Sequence, residues 1–222
     1  MKVGIMQPYF FPYFGYFQLI NEVDLYINLD HVSFMKRSYM TRNKIKDETP
    51  INIQVYGASQ NKKCSEVLVN FESQYIEKFR KKIYYLYGKY NLYEEINEKI
   101  INPCFIDSQT TISEFNLNII KKICDYLDIK TEIVDTSENL TDKKKGEGLK
   151  EITKLKGGSI YVNAIGGQKL YSKEDFKSSG IDLYFLEMGD VKFDNPYSSI
   201  LDLLYKYEKE YLKEELKNYR LI

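Results

Sequence analysis

Apolar residues occur along the chain in short runs, and the segments between those runs carry apolar residues at helical spacing. The runs typical of buried strands are residues 2–6, 25–29, 131–134, 159–165 and 181–188. Residues 50–56 alternate like a half-exposed strand, and residues 65–71 form another candidate strand. Strands that alternate with helices predict a parallel sheet with helices on both faces.

The helical pattern is strongest in the middle of the chain. The predicted helices are residues 15–23, 72–87, 92–101, 113–127, 149–155 and 199–218, with a short one after residue 169. Pro103 is expected to end the helical run at 92–101, and Gly157-Gly158 the helix at 149–155. We interpret residues 1–222 as a single α/β domain in which 72–128 form a helical insertion or cap.

The composition excludes several classes of protein. Lys and Arg total 32 and Asp and Glu total 32, so no global basic field holds a nucleic acid, although a local basic patch remains open. The single histidine, His31, excludes mechanisms that need two imidazoles and metal sites rich in histidine. Three separated cysteines, no visible signal peptide and no apolar run of about 20 residues predict a cytoplasmic protein.

Two unusual loops follow predicted strands. Residues 7–14, QPYFFPYF, contain two prolines and are too aromatic for an ordinary loop. Residues 163–169 contain the pair Gly166-Gly167. Parallel sheets bind ligands at the carboxyl ends of their strands, near the point where the strand order reverses. We therefore expect both loops to line one ligand pocket.

The order strand, aromatic loop, glycine, helix and strand resembles the opening of nucleotidylyltransferases. It predicts a mostly parallel, Rossmann-like sheet with nucleotidylyltransferase-like strand order. Tyr13-Phe14-Gly15-Tyr16 stands where those enzymes carry His-x-Gly-His. A phenol donates a hydrogen bond to phosphate but carries no positive charge, so these tyrosines indicate binding rather than adenylyl transfer. Ser199 and Asp202 are interpreted as a helix capping box.

A closer resemblance rests on motifs at both ends of the chain. They are GIMQPYFFPYFGYFQLINEVD, LDHVSFMKRSYMTRNKI, SQNK and, later, YVNAIGGQKLY. In these segments the chain resembles the WbqC-like family of bacterial surface-polysaccharide gene clusters. The resemblance runs from Met1 to about Asp202 and is thin between Leu68 and Glu151.

The resemblance implies attachment of an acyl or aminoacyl group, such as glycine, to a sugar amine in O-antigen or capsular polysaccharide biosynthesis. The polar residues that match the family pattern are Gln7, Asp24, Asp30, Lys36, Arg42, Asn43, Asn61, Lys62, Asn163, Gln168 and Asp202. The chain departs from that pattern at His31, where a second acidic residue is expected, and at Tyr39, where Trp is common.

Amide formation requires a base that takes a proton from the amine and donors that hold the carbonyl oxygen. Asp30 or His31 is the candidate base, although each also fits a structural role. The candidate donors are Gln7, Asn163 and the backbone near Gly167. For these groups the alternatives are hydrogen bonds to the loop backbone and a plain turn.

Basic residues follow the second predicted strand. Lys36, Arg37, Arg42 and Lys44 concentrate positive charge there, which fits either an anion site or a solvated loop. Arg42 with Asn43 is expected to hold a sugar-nucleotide diphosphate or a tRNA acceptor end. The predicted substrate-binding residues are Tyr13, Tyr16, Lys36, Arg42, Asn43, Asn163, Gly167 and Gln168. Cysteines are interpreted as core residues, with a Cys64 thiolate nucleophile as the alternative.

The first hypothesis is an acyl- or aminoacyltransferase acting on a nucleotide-linked deoxyamino sugar, with Asp30, His31 and Gln7 as catalytic residues. The sequence leaves the donor open among an adenylate made from ATP, a thioester and aminoacyl-tRNA. The alternatives are a nucleotidyl- or glycosyl-type transferase and a non-catalytic sugar-nucleotide-binding protein of the same pathway. No metal site and no membrane partner are predicted, and a homodimer is left open.

Overall fold

The computed structural model describes residues 1–106, 109–135, 141, 143 and 145–222. The strands in this part of the chain are β1 (Lys2–Met6), β2 (Leu25–Asn28), β3 (Arg42–Ile45), β4 (Thr49–Asn52), β5 (Val55–Tyr56), β6 (Leu68–Val69), β7 (Glu132–Asp135), β8 (Ile160–Ala164), β9 (Asp182–Met188) and β10 (Tyr219–Leu221). The α-helices are α1 (Phe14–Glu22), α2 (Ser73–Tyr87), α3 (Tyr93–Ile96), α4 (Asn102–Cys104), α5 (Ile112–Tyr126), α6 (Lys145–Leu155), α7 (Lys173–Ser178), α8 (Ile200–Lys206) and α9 (Lys209–Glu215).

A mostly parallel sheet forms the centre of the protein, in the order β10-β9-β8-β1-β2-β7. β1 pairs in parallel with β2 on one side and with β8 on the other, and β7 and β9 extend the parallel pairing outward. β10 pairs with β9 in the antiparallel direction. Because the chain builds outward from β1 through β2 to β7 and then returns to β8, the strand order reverses between β1 and β8. The predicted α/β class with a mostly parallel sheet is confirmed.

Helices cover both faces of this sheet. Alternate side chains of each strand point to opposite faces, so each face has its own set of contacts with helices. On one face, Ile5 of β1 belongs to a hydrophobic cluster with Leu149 of α6 and Phe176 of α7. On the other face, Gly4 lies against α1, where an added Cβ would come within 2.7 Å of Leu19 Cδ2. The connections that follow β1 and β8 therefore pack on opposite faces.

The connection between β2 and β7 is long and contains two small antiparallel pairs, β3 with β4 and β5 with β6, followed by α2 to α5. The predicted helices at 72–87 and 113–127 are confirmed as α2 and α5. Phe79 and Ile83 of α2 and Ile119 of α5 share one hydrophobic cluster with the side chains of α1. The interpretation of 72–128 as a separate insertion or cap stays a prediction.

Pro103 does not end the helical run as predicted. A π turn at Asn97–Ile101 leads directly into α4, and Pro103 lies in the first turn of that segment. Proline lacks the N–H that a regular helix needs, and its ring strikes the carbonyl four residues earlier. The wider π turn before Pro103 relieves this conflict, so the chain stays helical through Cys104.

The predicted strand at 50–56 and the predicted helix at 199–218 are each interrupted. The strand divides between β4 and β5, which pair with different partners. The helix breaks at Tyr207, whose backbone is extended and whose ring packs on Phe193. Gln18 of α1 donates from Nε2 to the carbonyl oxygens of Glu215 and Asn218, both at 2.9 Å, which ends α9 before β10. Gln18 lies far from Glu215 and Asn218 in the sequence, so local periodicity does not show where α9 ends.

Across the described ranges, no helix has the length and apolar character needed to span a bilayer. Of the polar loop expected at 135–148, residues 136–140, 142 and 144 lie outside the described residues. Residues 145–148 form the first turn of α6, so the prediction of a loop is wrong there.

Candidate functional site

Polar residues gather at the carboxyl ends of β1, β2 and β8. These strands are parallel neighbours, so the residues that follow them leave the sheet at one edge. The strand order reverses at this edge, between β1 and β8, which is where such sheets bind ligands. We name this group the carboxyl-edge site and define it as Gln7, Asn28, Asp30, His31, Asn163, Gly167 and Gln168.

Asp30 and His31 form a direct pair at the end of β2. His31 Nδ1 lies 2.6 Å from Asp30 Oδ1. Asp30 is 3% exposed, whereas 18% of the His31 side chain is exposed. With Nδ1 held by the carboxylate, Nε2 is the ring nitrogen left to exchange a proton with a ligand. A buried carboxylate that orients a partly exposed imidazole has the arrangement of a general base.

Cys64 supports this pair from the protein interior. Its Sγ donates to the backbone oxygen of Asp30 at 2.8 Å. Burial raises the pKa of the Cys64 thiol to about 12. The thiol therefore stays protonated near neutral pH, which contradicts the alternative of a Cys64 thiolate nucleophile.

Sequence reasoning missed three further polar residues at this edge, which are Asn28, Ser113 and Asp135. Asn28 is fully buried and donates from Nδ2 to Ser113 Oγ at 3.0 Å and to Asp135 Oδ1 at 3.3 Å. These bonds join the end of β2 to the first turn of α5 and to the end of β7. A polar residue inside the apolar run 25–29 was a signal that could have drawn attention to Asn28.

The two candidate amides, Gln7 and Asn163, have partly committed side chains. Gln7 is half-buried, and its Oε1 accepts a long hydrogen bond of 3.5 Å from Tyr9 Oη. Asn163 Oδ1 accepts from the N–H of Ala164 at 2.8 Å, so its Nδ2 is the group left to donate. A Cβ at Gly167 would lie 2.5 Å from Asn163 Nδ2. Gly167 therefore gives this amide its space, and Gln168 follows as an exposed residue.

The aromatic loop, residues 7–14, is largely buried in the protein, as predicted. Phe10, Phe11 and Phe14 are all 0% exposed. Phe11 has a positive φ of 43°, which a residue other than glycine adopts only when its surroundings impose it. The loop is thus a fixed wall beside the carboxyl-edge site.

Side chains from distant parts of the sequence hold the backbone of this loop. Asn116 of α5 donates from Nδ2 to Pro8 O at 3.0 Å. Asn43 donates from Nδ2 to Phe11 O at 2.7 Å, and the same oxygen accepts from Ser199 Oγ at 2.8 Å. Buried carbonyl groups are costly without partners, so these bonds explain how an irregular loop is stable in the core.

The two tyrosines that replace the histidines of nucleotidylyltransferases have different environments. Tyr16 is fully buried, contacts Tyr26 through the hydroxyl groups and donates to Gln7 O at 2.8 Å. Burial raises its pKa well above the usual range. Tyr13 is half-buried, and its ring stacks on Tyr197 with 6.2 Å between centroids. Tyr16 therefore orders the loop, whereas Tyr13 lies at its surface.

Arg42 and Asn43 were expected to share a pocket, but they point to opposite sides of β3. Arg42 is exposed, and Asn43 is buried beneath the aromatic loop. Alternate residues of a strand point to opposite sides, so the pair does not face one ligand together. Lys36 and Arg37 are exposed in the turn before β3. The basic residues therefore offer charge to solvent, and Asn43 has a role in holding the loop.

The remaining family-type polar residues have other placements. Asp24 Oδ2 accepts from the N–H of Lys2 at the amino end of β1. Asp202 is 2% exposed and pairs with Lys206 Nζ at 3.0 Å. Ser199 Oγ accepts from the N–H of Leu201, which confirms Ser199 as the N-cap of α8. The N–H of Ser199 donates to Lys44 O rather than to Asp202, so the reciprocal half of the predicted capping box is wrong. Asn61 and Lys62 are exposed before Cys64.

Within the described part of the chain, no group of three or more His, Cys, Asp or Glu side chains is placed to hold a metal ion.

Comparison with known proteins places this arrangement in a family. "Uncharacterized protein Rv1507c" of Mycobacterium tuberculosis is 25% identical over 223 residues, which cover 94% of this chain and 95% of that protein. No solved structure matches the chain. The family description "WbqC-like protein family" matches residues 7–214, from the carboxyl-edge site to α9. Because the match covers nearly the whole sequence, the chain belongs to the WbqC-like protein family.

Proposed function

We propose that the protein is an acyl- or aminoacyltransferase that forms an amide on the amine of a nucleotide-linked deoxyamino sugar. The contact between Asp30 and His31 at the carboxyl edge of the sheet carries this proposal. An amine must lose a proton as it attacks an activated carbonyl, and an imidazole oriented by a buried carboxylate is suited to accept it. The sequence motifs resemble those of the WbqC-like family of bacterial surface-polysaccharide gene clusters, and this resemblance is the basis for placing the reaction in surface polysaccharide biosynthesis.

In this mechanism His31 Nε2 accepts the proton of the attacking amine while Asp30 holds Nδ1. The amine nitrogen adds to the acyl carbon to form a tetrahedral intermediate. This intermediate collapses as the bond between the acyl carbon and its leaving group breaks, and the proton passes from His31 to that leaving group. The side-chain amides of Gln7 and Asn163 donate to the oxygen of the tetrahedral intermediate. Such donors stabilise the charge that develops on that oxygen.

The topology supports a nucleotide as the carrier of the sugar. The strand order and its reversal between β1 and β8 fit a Rossmann-like sheet, in which nucleotides bind at this edge. Exposed Lys36 and Arg42 provide charge for the diphosphate, and Gln168 offers a further polar contact. The helical segment 72–128 then acts as an insertion or cap beside the nucleotide.

The test is a transfer assay with the purified full-length chain. Nucleotide-linked amino sugars are incubated with acyl-CoA thioesters, with amino acids and ATP, and with aminoacyl-tRNA, and mass spectrometry detects the amide. His31→Gln and Asp30→Asn should each lower turnover by roughly 100-fold or more, the usual contribution of general base catalysis. Asp125→Asn, an exposed carboxylate of α5, serves as the control and should retain turnover.

Other outcomes identify the alternatives. Saturable binding of the sugar nucleotide without turnover of any donor would indicate a non-catalytic binding protein. Transfer of a nucleotidyl or glycosyl group would indicate the other transferase class. Full amide formation by His31→Gln would remove the Asp30–His31 pair from the mechanism.

A further inference from the structure

Residues 78–93 combine positive charge with tyrosine at high density. This segment lies between Glu77 and Glu94 and contains no Asp or Glu. Its charged residues and tyrosines are Lys78, Arg80, Lys81, Lys82, Tyr84, Tyr85, Tyr87, Lys89, Tyr90 and Tyr93. In a protein of zero formal net charge, this is a local basic patch with interleaved aromatic residues.

The carboxyl half of α2 and the start of α3 form an open groove along this segment. Its volume is about 1140 Å³. Pockets for small molecules are typically about 300–1,000 Å³ and enclose their ligand, so an open groove of this size fits a stretch of polymer. We name it the tyrosine groove, and its main lining residues are Arg80, Lys81, Tyr84, Tyr85, Lys89 and Tyr93.

Stacked rings support the wall of the groove. Tyr93 stacks on buried Tyr205 with 5.9 Å between centroids, and Tyr205 stacks on Tyr87 at 4.6 Å. Tyr84 meets Tyr93 edge to face at 5.8 Å. Tyr84 and Tyr85 are 65% and 87% exposed. The stacked rings of Tyr87, Tyr205 and Tyr93 hold the wall of the groove in place from the interior. The rings of Tyr84 and Tyr85 remain accessible to a planar ligand.

The charge of the groove favours an anionic ligand. The lining carries the cations Lys46, Arg80, Lys81 and Lys89 against the acids Asp47 and Glu94. Lys46 Nζ lies 5.3 Å from the centre of the Tyr90 ring, so charge and aromatic surface are adjacent. A ligand that alternates planar rings with negative charges matches this pattern better than a uniformly polar chain.

We propose that the tyrosine groove binds single-stranded nucleic acid. The bases stack on Tyr84 and Tyr85, and the phosphates lie against Lys81 and Lys89. Every base has a π face, so binding of this kind tolerates many sequences. This inference is independent of the Asp30–His31 pair and of the proposed transferase activity.

The experiment measures fluorescence anisotropy of a labelled single-stranded RNA and DNA of about 12 nucleotides, within the usual range of site sizes. The wild-type chain should bind both, with affinity that falls as salt rises. Tyr84→Ala with Tyr85→Ala should weaken binding by about 30-fold or more, because stacking on both rings is lost. Lys81→Gln with Lys89→Gln should weaken binding and reduce the salt slope by about 0.7 for each phosphate contact removed.

Controls separate the groove from general effects. Lys121→Gln with Lys130→Gln removes the same charge from exposed positions outside the groove and should leave binding unchanged. His31→Gln should also bind as the wild type does, whether or not it transfers an acyl group. Thermal melting shows that the tyrosine variants remain folded, which their exposure predicts.

Several results would overturn the proposal. Absence of RNA and DNA binding at low salt would do so, as would equal affinity for a duplex of the same length. Unchanged binding by the double tyrosine variant would reduce the interaction to charge alone. Displacement of the RNA by polygalacturonate, with equal dependence on the tyrosines, would identify an acidic polysaccharide as the occupant instead.

Discussion

The aromatic loop and the tyrosine groove are built from similar residues, and the protein uses them in opposite ways. In the loop, Phe10 and Phe11 are fully buried, whereas in the groove Tyr84 and Tyr85 are mostly exposed. Both segments are rich in aromatic residues, so aromatic content alone does not show which of them is buried.

The difference follows from the backbone of each segment. The loop has no regular structure, so its carbonyl oxygens need partners, which Asn43, Asn116 and Ser199 provide from elsewhere in the chain. α2 satisfies its own backbone, and its outer rings need no cover from neighbouring elements. Aromatic residues therefore form a buried wall in the irregular, anchored loop and an exposed surface on the outer side of α2.

Phe10→Ala should produce the largest loss of stability. Phe10 is 0% exposed, and its ring lies 4.9 Å from Phe11 and 6.2 Å from both Phe79 and Phe115 between centroids. Truncation leaves a cavity that these rings cannot fill, at a cost of about 3–5 kcal/mol in the free energy of unfolding. Urea denaturation measures the change.

Tyr85→Ala is the matched variant in the tyrosine groove. The side chain is 87% exposed, so its removal should change the free energy of unfolding by less than about 0.5 kcal/mol. Equal losses in the two variants would show that both aromatic segments are structural, and the contrast between them would fail.

Asn116→Ala should produce the next largest effect. The side chain is fully buried and donates to Pro8 O at 3.0 Å and to Met40 O at 2.8 Å. Without it, two buried carbonyl oxygens lose a donor, which should cost about 2–4 kcal/mol. Asn118→Ala, on the same helix and less buried, should cost little. Similar melting temperatures for the two variants would contradict the view that anchoring stabilises the loop.

The sequence predicts the parts of the site that depend on local pattern. Apolar runs locate β1, β2 and β8, and the rule for parallel sheets brings Gln7 and Asn163 to one edge. Hydrophobic periodicity likewise locates α2 and α5. These features require only the residues within one element and the preference of parallel strands for a common direction.

The remaining features depend on contacts between distant segments. Asn116 and Pro8 are separated by 108 residues, and Asn43 and Phe11 by 32. Nothing near Asn43 in the sequence indicates that its amide faces the loop while Arg42 faces solvent. Similarly, Asn28 and Asp135 lie 107 residues apart. A motif can mark such residues as important, but only the fold shows whether they hold the backbone or meet a ligand.

The smallest expected effect concerns the phenol of Tyr13, at the surface of the aromatic loop. Burial, followed by the neighbouring Tyr197 and Tyr9, raises the pKa of Tyr13 to about 12. In the unfolded chain a tyrosine titrates near pH 10. The folded state therefore holds this proton more tightly, so the stability that it contributes is fully present below about pH 10 and is lost as the pH rises towards 12.

Tyr13→Phe keeps the ring that stacks on Tyr197 and removes the titrating group. Between about pH 10 and 12, the free energy of unfolding of the variant should fall less steeply than that of the wild type, by up to about 1.4 kcal/mol per pH unit. Denaturation at several pH values measures both slopes, and the same two proteins below pH 9 provide the control, since neither should then depend on this proton. Parallel slopes up to pH 12 would mean that water reaches the phenol freely. The loop would then be open around Tyr13, and its surface would resemble the tyrosine groove rather than a closed wall.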